Sequence, residues 1–448
     1  MRNKEDSRRY IRRGLCLSLC LLFALTALVS CQSGGGETTA DTITADTTTV
    51  PDTTRAVITV PDTLPGIDTD SDTVTEKTGH VTTMPPQRTT PEVTEPPADP
   101  VRLSFVGMGD NIVYRSTYNQ SLKDDGTYDF KPKYKRVESF IKQADIAFIN
   151  QETPMCGAKY GYHTYPQFNT PNEMGYDLIS LGFDIISFAN NHMADMGYES
   201  STCVSEMIDF TDTLDAFIIG LYRDFDDFEN IRVYEKDGVK IAFLAYTYGT
   251  NLYHQQTETT KIKGAYFPIY DEDTITRQVK KANGLADLVF VSIHWGTEDS
   301  HKVNAEQQNL AQLMADLGVD VILGHHPHVI QRIEWLTGID GNKTLCYYSL
   351  GNGLNAQDYL RNMVGITASF DIVKDEAGAR IENASCIPTF NVMTPLYKNI
   401  SIIPLNELTD EICEKHHCNS KDQKVTVKKA YDIVKNNIDA EFLSDYLK

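Results

Sequence analysis

The chain has 448 residues, of which 41% are hydrophobic, and its formal net charge is −21. This acidic balance argues against nucleic acid as a partner and against direct electrostatic binding to anionic lipid, because both attract basic surfaces. Nine cysteines are present without a CxxC pair, which argues against a cysteine zinc cluster.

The first residues have the pattern of a secretory signal. A segment rich in Arg and Lys, residues 2–13, precedes the apolar run "GLCLSLCLLFALTALVS". The run is short for a transmembrane helix, which needs about 20 apolar residues. It ends in "LVSC", which resembles a bacterial lipobox, although an ordinary signal peptide with an incidental cysteine would look similar. We predict a lipoprotein signal over residues 1–31, lipidated at Cys31 and anchored to the outer face of the cytoplasmic membrane.

Residues 32–99 are rich in Thr, Pro and Asp, as in "TTADTITADTTTVPDTT". No apolar periodicity of useful length occurs, so the segment cannot bury enough apolar surface to offset its ordering entropy. Proline and like charges favour an extended chain. We therefore predict a disordered tether between the membrane and a folded domain.

From residue 101 short apolar runs alternate with amphipathic stretches. Strands are predicted at "VRLSFVG", "DIAFIN", "DIISFA", "AFIIG", "VKIAFLAY", "LVFVSIHW", "DVILG", "TLCYYSLG" and "GITASFDIVKD". Helices are predicted at "YKRVESFIKQA", "NEMGYDLISLG", "GYESSTCVSEMIDFTDTL", "EDTITRQVKKANG" and "NAEQQNLAQLMADLG". Strands that alternate with helices of about 10–15 residues indicate an α/β domain.

Polar side chains follow six of these strands. Their ends carry Asp110, Glu152, Asn191, His294, the run "GHHPH" at residues 324–328, and Asn352. Ligands bind at the carboxyl ends of strands in open α/β sheets. Carboxylates, amides and imidazoles together suit one or two divalent cations, with Mn, Fe or Zn favoured over Ca. Packed, hydrogen-bonded core histidines are the alternative interpretation of "GHHPH".

The segments "GDN", "NQETP", "FANNHMADMG", "HWGTE", "GHHPHVIQ" and "YSLGNG" resemble the CapA family of poly-γ-glutamate capsule biosynthesis proteins, over roughly residues 101–390. Its domain is related to the calcineurin-like metallophosphoesterases. The resemblance implies a metallophosphoesterase-like β-sandwich, with two mixed sheets flanked by helices and a metal site at the sheet edges.

The resemblance also implies roles for individual residues. His192 matches the general acid that protonates a leaving oxygen. Candidate substrate-binding residues are Glu298, Asn352, His163 and Tyr165, although Glu298 could equally be a solvated loop acid. The implied ligands of a first metal are Asp110 and His328. Glu152 would bridge the first and second metals, and the implied ligands of the second metal are Asn191, His294 and His326.

The first motif departs from the broader superfamily. Where Asp-x-His is usual, this chain has Asp110, Asn111 and Ile112, so one histidine ligand is missing. The bridging aspartate is replaced by Glu152, which is one methylene longer. We therefore expect a weakened first metal position, which casts doubt on catalysis more than on metal binding.

The domain is predicted to span residues 100–404, followed by a helical extension over residues 405–448. His416 and His417 are expected to be incidental in a polar helix, and His301 to lie on the surface. An exported protein can oxidise some cysteines, and Cys413 and Cys418 are one candidate pair, five residues apart.

Two functions remain open. The first is an exported, membrane-anchored, metal-dependent phosphoesterase-like hydrolase, acting on a phosphorylated small molecule or polymer during synthesis of a capsule or another cell-surface polymer. The second is a non-catalytic, metal-binding assembly factor that holds an anionic polymer such as poly-γ-glutamate near its synthase complex. Fold alone cannot decide between them, because function depends on the site.

Overall fold

The first sheet is built around β1 (Val101–Asn111), which pairs in parallel with β2 (Ile146–Gln151) and antiparallel with β11 (Val364–Asp375). The computed structural model describes residues 99–196, 201–252, 264–421 and 423–443. The sheet has seven strands in the order β13-β12-β11-β1-β2-β3-β4. Its other members are β3 (Ile185–Ser187), β4 (Phe217–Ile219), β12 (Gly378–Thr394) and β13 (Lys398–Pro404).

The second sheet has six strands in the order β5-β6-β7-β8-β10-β9. Its central pairs are parallel and its two edge strands are antiparallel, so this sheet is also mixed. The strands are β5 (Arg232–Lys236), β6 (Val239–Thr247), β7 (Leu288–His294), β8 (Val321–His325), β9 (Ile333–Thr337) and β10 (Lys343–Tyr347).

Helices connect the strands and cover the sheets. The best capped is α8, where Asn304 accepts from the backbone of Gln307 and the Gln307 side chain accepts in return, a capping box. In chain order the helices are α1 (Arg115–Asn119), α2 (Lys131–Tyr134), α3 (Glu138–Gln143), α4 (Glu173–Ser180), α5 (Ser201–Thr211), α6 (Phe225–Glu229), α7 (Glu272–Ala282), α8 (Ala305–Asp316), α9 (Leu360–Met363), α10 (Asp410–Glu414) and α11 (Val427–Asn437).

The two sheets face one another across an aromatic core. The ring of Phe290 on β7 lies 5.7 Å from Phe105 on β1 and 5.8 Å from Phe370 on β11. The sequence of β7, "LVFVSIH", is a nearly continuous apolar run because both of its faces are buried. The predicted fold class, an α/β arrangement of two mixed sheets flanked by helices, is confirmed.

Two glycines let the chain cross closely where the strands end. A Cβ on Gly109 would lie 2.0 Å from the carbonyl oxygen of Gly351, and one on Gly324 would lie 2.1 Å from that of Tyr348. The amide of Asp110 donates to the same Gly351 oxygen at 2.9 Å. These crossings bring the end of β1 and the loop after β8 together.

The helix and strand predictions were incomplete at one helix and four strands. Of the predicted helix at "YKRVESFIKQA", only Glu138–Gln143 forms α3, and its first residue, Tyr134, ends α2. Strands β5, β9, β12 and β13 were not predicted. The register of β12 shifts at β-bulges against both β11 and β13, and its burial does not follow a simple period of two.

The suggested Cys413–Cys418 pair is wrong. Cys156 and Cys203 form the disulfide, with their Cα atoms 5.2 Å apart, whereas Cys413 and Cys418 are free and buried. Cys413 lies on α10, which ends at Glu414, whereas Cys418 lies on a separate 3-10 turn over His417–Lys421, and each packs into the core. The bridge joins the loop after β2 to α5.

The C-terminal segment packs on the core of the first sheet through Cys418, Ala430 and Val434. His416 and His417 are also buried rather than part of a polar helix face; His416 Nε2 lies 3.0 Å from the carbonyl oxygen of Asn391. Within the described ranges, no helix is long and apolar enough to cross a bilayer. Cys31 and residues 32–98 lie outside the described residues, so the anchor and the tether stay predictions.

Candidate metal centre

The ends of four strands, two from each sheet, deliver buried ionisable side chains to one place. Asp110 belongs to β1, Glu152 follows β2, His294 ends β7 and His325 ends β8. None of the four is more than 1% exposed. Such groups are costly to bury unless they pair with one another or coordinate a metal.

Asp110 is the best-connected carboxylate of this cluster. Asn150 Nδ2 donates to its Oδ1 at 2.9 Å, while the His326 amide and His328 Nδ1 each donate to its Oδ2 at 3.1 Å. His325 Nδ1 lies 3.4 Å from Oδ1. Burial alone would raise the pKa of Asp110, but the contacts with His325 and His328 outweigh it and hold the pKa well below its usual range.

Glu152, unlike Asp110, has no hydrogen-bond donor to its carboxylate. Neither carboxylate oxygen accepts a hydrogen bond, although His328 Nε2 lies 3.5 Å and His192 Nε2 3.9 Å from Oε1. Burial raises the pKa of Glu152 well above its usual value, and the nearby charge of Asp110 adds to the rise despite the opposing effect of His328. A buried carboxyl group without a donor costs about 1–3 kcal/mol or more. A cation between Glu152 and the imidazoles would remove that cost.

The imidazoles differ in charge. Burial holds the pKa of His294 well below 6.5, and burial together with His328 lowers that of His326 to about 3, so both rings stay neutral, the form that binds metals. Burial opposes charge on His328 too, but Glu152 and Asp110 raise its pKa to about 10. The Nδ1 atoms of His294 and His326 have no hydrogen-bond partner. His294 Nε2 lies 3.0 Å from Asn191 Oδ1.

Two groups of ligand atoms lie close enough to hold cations. One comprises Asp110, Glu152 and His294, the other Glu298, His326 and His328, and within each group the ligand atoms lie within 4.8 Å of one another. This grouping places His326 with His328, whereas the resemblance assigned them to different metal positions. The unpartnered buried atoms and the mixture of carboxylate, imidazole and amide fit one or two divalent cations.

The loop after β8 turns its histidines inwards through unusual backbone angles. His326 has φ +94° and His328 φ +58°, values rare for residues with a side chain. The loop is held by two contacts: the Asp299 amide donates to the Pro327 carbonyl at 2.9 Å, and Asn352 Nδ2 donates to the His328 carbonyl at 3.2 Å. Strained backbone of this kind is common at functional sites.

His192 lies beside the cluster. Its Nδ1 donates to Asp195 Oδ2 at 2.6 Å, and its Nε2 faces Glu152. Phe168 makes an edge-to-face ring contact at 4.9 Å, and Asn251 donates to Asp195 Oδ1 at 3.2 Å. These contacts fix the ring orientation and leave Nε2 available towards the cleft.

The structure brings together most of the predicted site residues. Tyr165 is exposed and borders a cavity of about 310 Å³ that it shares with Asn191, His192 and Glu298. Asn352 is buried and holds the loop after β8 in place. His163 is exposed and bonded to the Tyr160 carbonyl at 3.1 Å, and it does not border that cavity. Its role in substrate binding stays a prediction.

Residues 103–357, more than half of the chain, match the family of the bacterial capsule synthesis protein PGA_cap. The chain belongs to this family. Its domain is of the metallophosphoesterase-like superfamily, and the resemblance to the CapA family is confirmed.

Two curated relatives are similar to this family member. The capsule biosynthesis protein CapA of Bacillus anthracis is 29% identical over 51% of the chain and 54% of its own length. The PGA biosynthesis protein CapA of Bacillus subtilis is 28% identical over 64% of the chain and 72% of its own length. The chain thus spans about half of the first relative. A hypothetical protein of Thermus thermophilus superposes with a TM-score of 0.39 at 12% identity, covering 64% of this chain and 98% of its own.

Two residues of the cluster in this PGA_cap chain were not predicted from the sequence. His325 lies in "GHHPH", but only its neighbours were assigned as ligands; its Nδ1 lies 3.4 Å from Asp110 Oδ1, and neither ring nitrogen has a hydrogen-bond partner. Asp195 lies three residues after His192 in "NHMAD", and a turn in which the Asp195 amide donates to the His192 carbonyl at 3.0 Å brings the two side chains together.

We predict that His326→Ala lowers the affinity for divalent metal by more than about 100-fold, because it removes a ligand rather than a group that only orients ligands. Metal content of the purified protein and titration with Mn²⁺ or Zn²⁺ measure this. The control is His163→Ala, which removes an exposed histidine outside the cluster. Equal metal loss in both variants, or none in His326→Ala, would contradict the assignment.

The protonation states predict a pH dependence of metal binding. A pKa of about 10 keeps His328 protonated in the metal-free protein at neutral pH, whereas His294 and His326 are already neutral. Metal must displace the proton of His328, so affinity should rise with pH between 6 and 8 and binding should release protons. Calorimetry in two buffers of different ionisation enthalpy measures the release. Binding that is independent of pH and releases none would refute this account.

Proposed function

We propose that this chain is a metal-dependent phosphoester hydrolase that acts in the synthesis of a capsule or another cell-surface polymer. The printed names of the two Bacillus relatives support the capsule context. The main support for phosphoester hydrolysis is the His192–Asp195 pair. His192 Nδ1 contacts Asp195, and its other ring nitrogen, Nε2, lies 3.9 Å from Glu152 Oε1 in the carboxylate cluster.

The cluster would hold the cation through the two groups of Asp110, Glu152 and His294 and of Glu298, His326 and His328, with Asn191 beside His294. A divalent cation in such a site polarises a phosphoryl group and lowers the pKa of water towards 7. The buried walls limit bulk water around the reacting group, which strengthens every electrostatic interaction there.

The pair of His192 and Asp195 supplies the proton that the leaving group needs. Water adds to phosphorus, the ester bond from phosphorus to the leaving oxygen breaks, and Nε2 of His192 transfers its proton to that oxygen. Asp195 accepts from Nδ1, which fixes the orientation of the ring with Nε2 towards the cleft. A proton from the attacking water later restores His192.

A specific observation favours the second candidate, a non-catalytic factor that holds an anionic polymer near its synthase. The side chain of Asn111 is bonded away from the cluster: it accepts from the Tyr134 hydroxyl at 2.5 Å and donates to Gln151 at 2.6 Å. Ile112 is buried and apolar. The first motif therefore contributes Asp110 alone.

We predict that His192→Ala keeps its metal but loses about 10²–10⁴-fold in turnover, the usual contribution of a general acid. The loss should be smallest for nitrophenyl phosphoesters, whose leaving group needs little protonation, and largest for alkyl esters. Steady-state rates and metal content measure this, with Tyr176→Ala, which removes an exposed side chain outside both the cluster and its cavity, as the control.

Three outcomes separate the hypotheses. Loss of metal from His192→Ala would make this residue a ligand. A uniform loss of rate over all leaving groups would exclude proton donation. A wild-type protein that binds metal but hydrolyses no phosphomonoester or phosphodiester would leave the assembly factor as the better account.

We further propose that the chain is exported and anchored to the membrane through a lipid on Cys31. The support is the sequence "LVSC" directly after the apolar run. Cys31→Ser should block processing and abolish labelling with a radioactive fatty acid, while Cys20→Ser, a cysteine within the apolar run, should leave both unchanged. A Cys31→Ser protein that is processed and labelled like the wild type would refute the anchor.

A further inference from the structure

A second, larger cavity adjoins the metal centre. Its volume is about 720 Å³, within the range that binds small organic ligands, and Tyr165 lines both it and the smaller cavity that contains His192. A chain of ring contacts also connects the two, from Tyr114 to Phe168 at 5.4 Å and from Phe168 to His192 at 4.9 Å. A ligand in the larger cavity could therefore extend to the reacting site.

Four tyrosines line this larger cavity, Tyr114, Tyr165, Tyr359 and Tyr397, and we call it the tyrosine cavity. Tyr165 and Tyr359 are 69% and 47% exposed, so large ring areas are uncovered. Aromatic rings that combine an apolar face with a polar hydroxyl suit ligands that are apolar on one face and polar at the edge. Sugar rings have this character.

Planar amides complete the lining. The side chains are those of Asn119, Gln120, Gln357 and Asn362. Gln120 Nε2 already donates to the carbonyls of Ser116 and Tyr397 at 2.6 Å each, and Gln357 Oε1 accepts from Asn352 at 2.8 Å. The groups that remain for the hydroxyls of a sugar are the amide of Asn119 and the Oδ1 of Asn362. Asn362 is only 1% exposed, and its Oδ1 has no hydrogen-bond partner. Its Nδ2 bonds Asp299 at 2.7 Å and reaches the His328 carbonyl at 3.3 Å, so it links the tyrosine cavity to the loop of the metal centre.

The charges of the lining argue against a polyanion. Two acids and two bases line the tyrosine cavity, namely Asp299, Asp358, Arg115 and Lys398. Both acids are paired with cations that do not line the cavity, Asp299 with Arg361 at 2.8 Å and Asp358 with Lys421 at 3.1 Å. Arg115 and Lys398 therefore remain as the two unpaired charges of the lining, and two isolated cations give little complementarity to a polymer of many carboxylates.

Much of this wall lies beyond the family match, which ends at residue 357. Asp358, Tyr359, Asn362, Leu396, Tyr397 and Lys398 all follow it. His417 of the C-terminal segment supports the wall from behind, with its ring 4.1 Å from that of Tyr397 and its Nε2 3.3 Å from Asp358. The tyrosine cavity is therefore formed in large part by residues outside the matched family region.

We propose that the tyrosine cavity binds a neutral saccharide, which is the sugar portion of the ester that is hydrolysed at His192. That the saccharide is part of the hydrolysed ester rests on the proposed function, whereas saccharide binding by the cavity does not. The cavity would place a sugar hydroxyl oxygen as the leaving group, and the amides and tyrosines would select the sugar.

The test measures binding without hydrolysis. The full-length protein, purified in detergent and freed of metal with EDTA, is applied to an array of immobilised neutral oligosaccharides of hexoses and N-acetylhexosamines, and the best binder is titrated by calorimetry. Tyr359→Ala should weaken binding by about tenfold, as expected for loss of one stacked ring with its contact area. Tyr359→Phe should bind like the wild type.

The matched control is Tyr176→Ala, which removes a tyrosine that is 54% exposed but lies outside the cavity. Asn119→Ala tests the amides and should also weaken binding. Absence of binding to every neutral oligosaccharide, or binding unchanged in both Tyr359→Ala and Asn119→Ala, overturns the proposal. So does binding of soluble poly-γ-glutamate that Arg115→Ala and Lys398→Ala abolish, because it would assign the cavity to an anionic polymer.

The two proposals fail separately. If the protein binds saccharide but hydrolyses no phosphoester, the hydrolase proposal is refuted and the saccharide site is retained. If it hydrolyses a phosphoester but binds no saccharide, only the saccharide proposal is refuted.

Discussion

Two carboxylates, Asp110 and Glu152, are buried side by side without a lysine or arginine partner. The rest of the site depends on how the free-energy cost of burying them is compensated. Asp110 remains charged because three histidines and an asparagine surround it. Glu152 receives no hydrogen bond, and burial raises its pKa well above the usual value. Desolvation would make two bare charges at this depth prohibitive, so the cluster requires either protons or a cation.

This requirement connects the fold to the chemistry. The β1 crossing at Gly109 and the positive φ angles of His326 and His328 bring side chains of both sheets within a few ångströms. A strained loop persists only where the surrounding structure fixes it, here through Asn352 and Asp299. The same Asp299 also lines the tyrosine cavity, so metal centre and cavity share one support.

His192 differs from the other imidazoles of the site in the contacts of its ring nitrogens, and this difference indicates a different role. His326 and His328 present ring nitrogens to a group of ligand atoms, whereas His192 uses Nδ1 for Asp195 and keeps Nε2 at the edge of the smaller cavity. A ligand must give up its proton to a metal, but a general acid must hold and then release one. The contact with Asp195 suits the second role, because it occupies Nδ1 and fixes the ring with Nε2 towards the cavity.

The sequence by itself determined the alternation of strands and helices and the polar strand ends that form most of the cluster, because apolar periodicity and polar strand ends are local features. The fold class of two mixed sheets was implied by the resemblance of its motifs to the CapA family. The sequence did not reveal β12 and β13, whose bulges disturb that periodicity, nor the Cys156–Cys203 bridge, whose partners are 47 residues apart. Only the tertiary structure decided that His325 joins Asp110, that His326 groups with His328 and Glu298, and that the C-terminal segment supports a tyrosine-lined cavity. These are contacts between elements distant in the chain, and their geometry depends on how the two sheets pack.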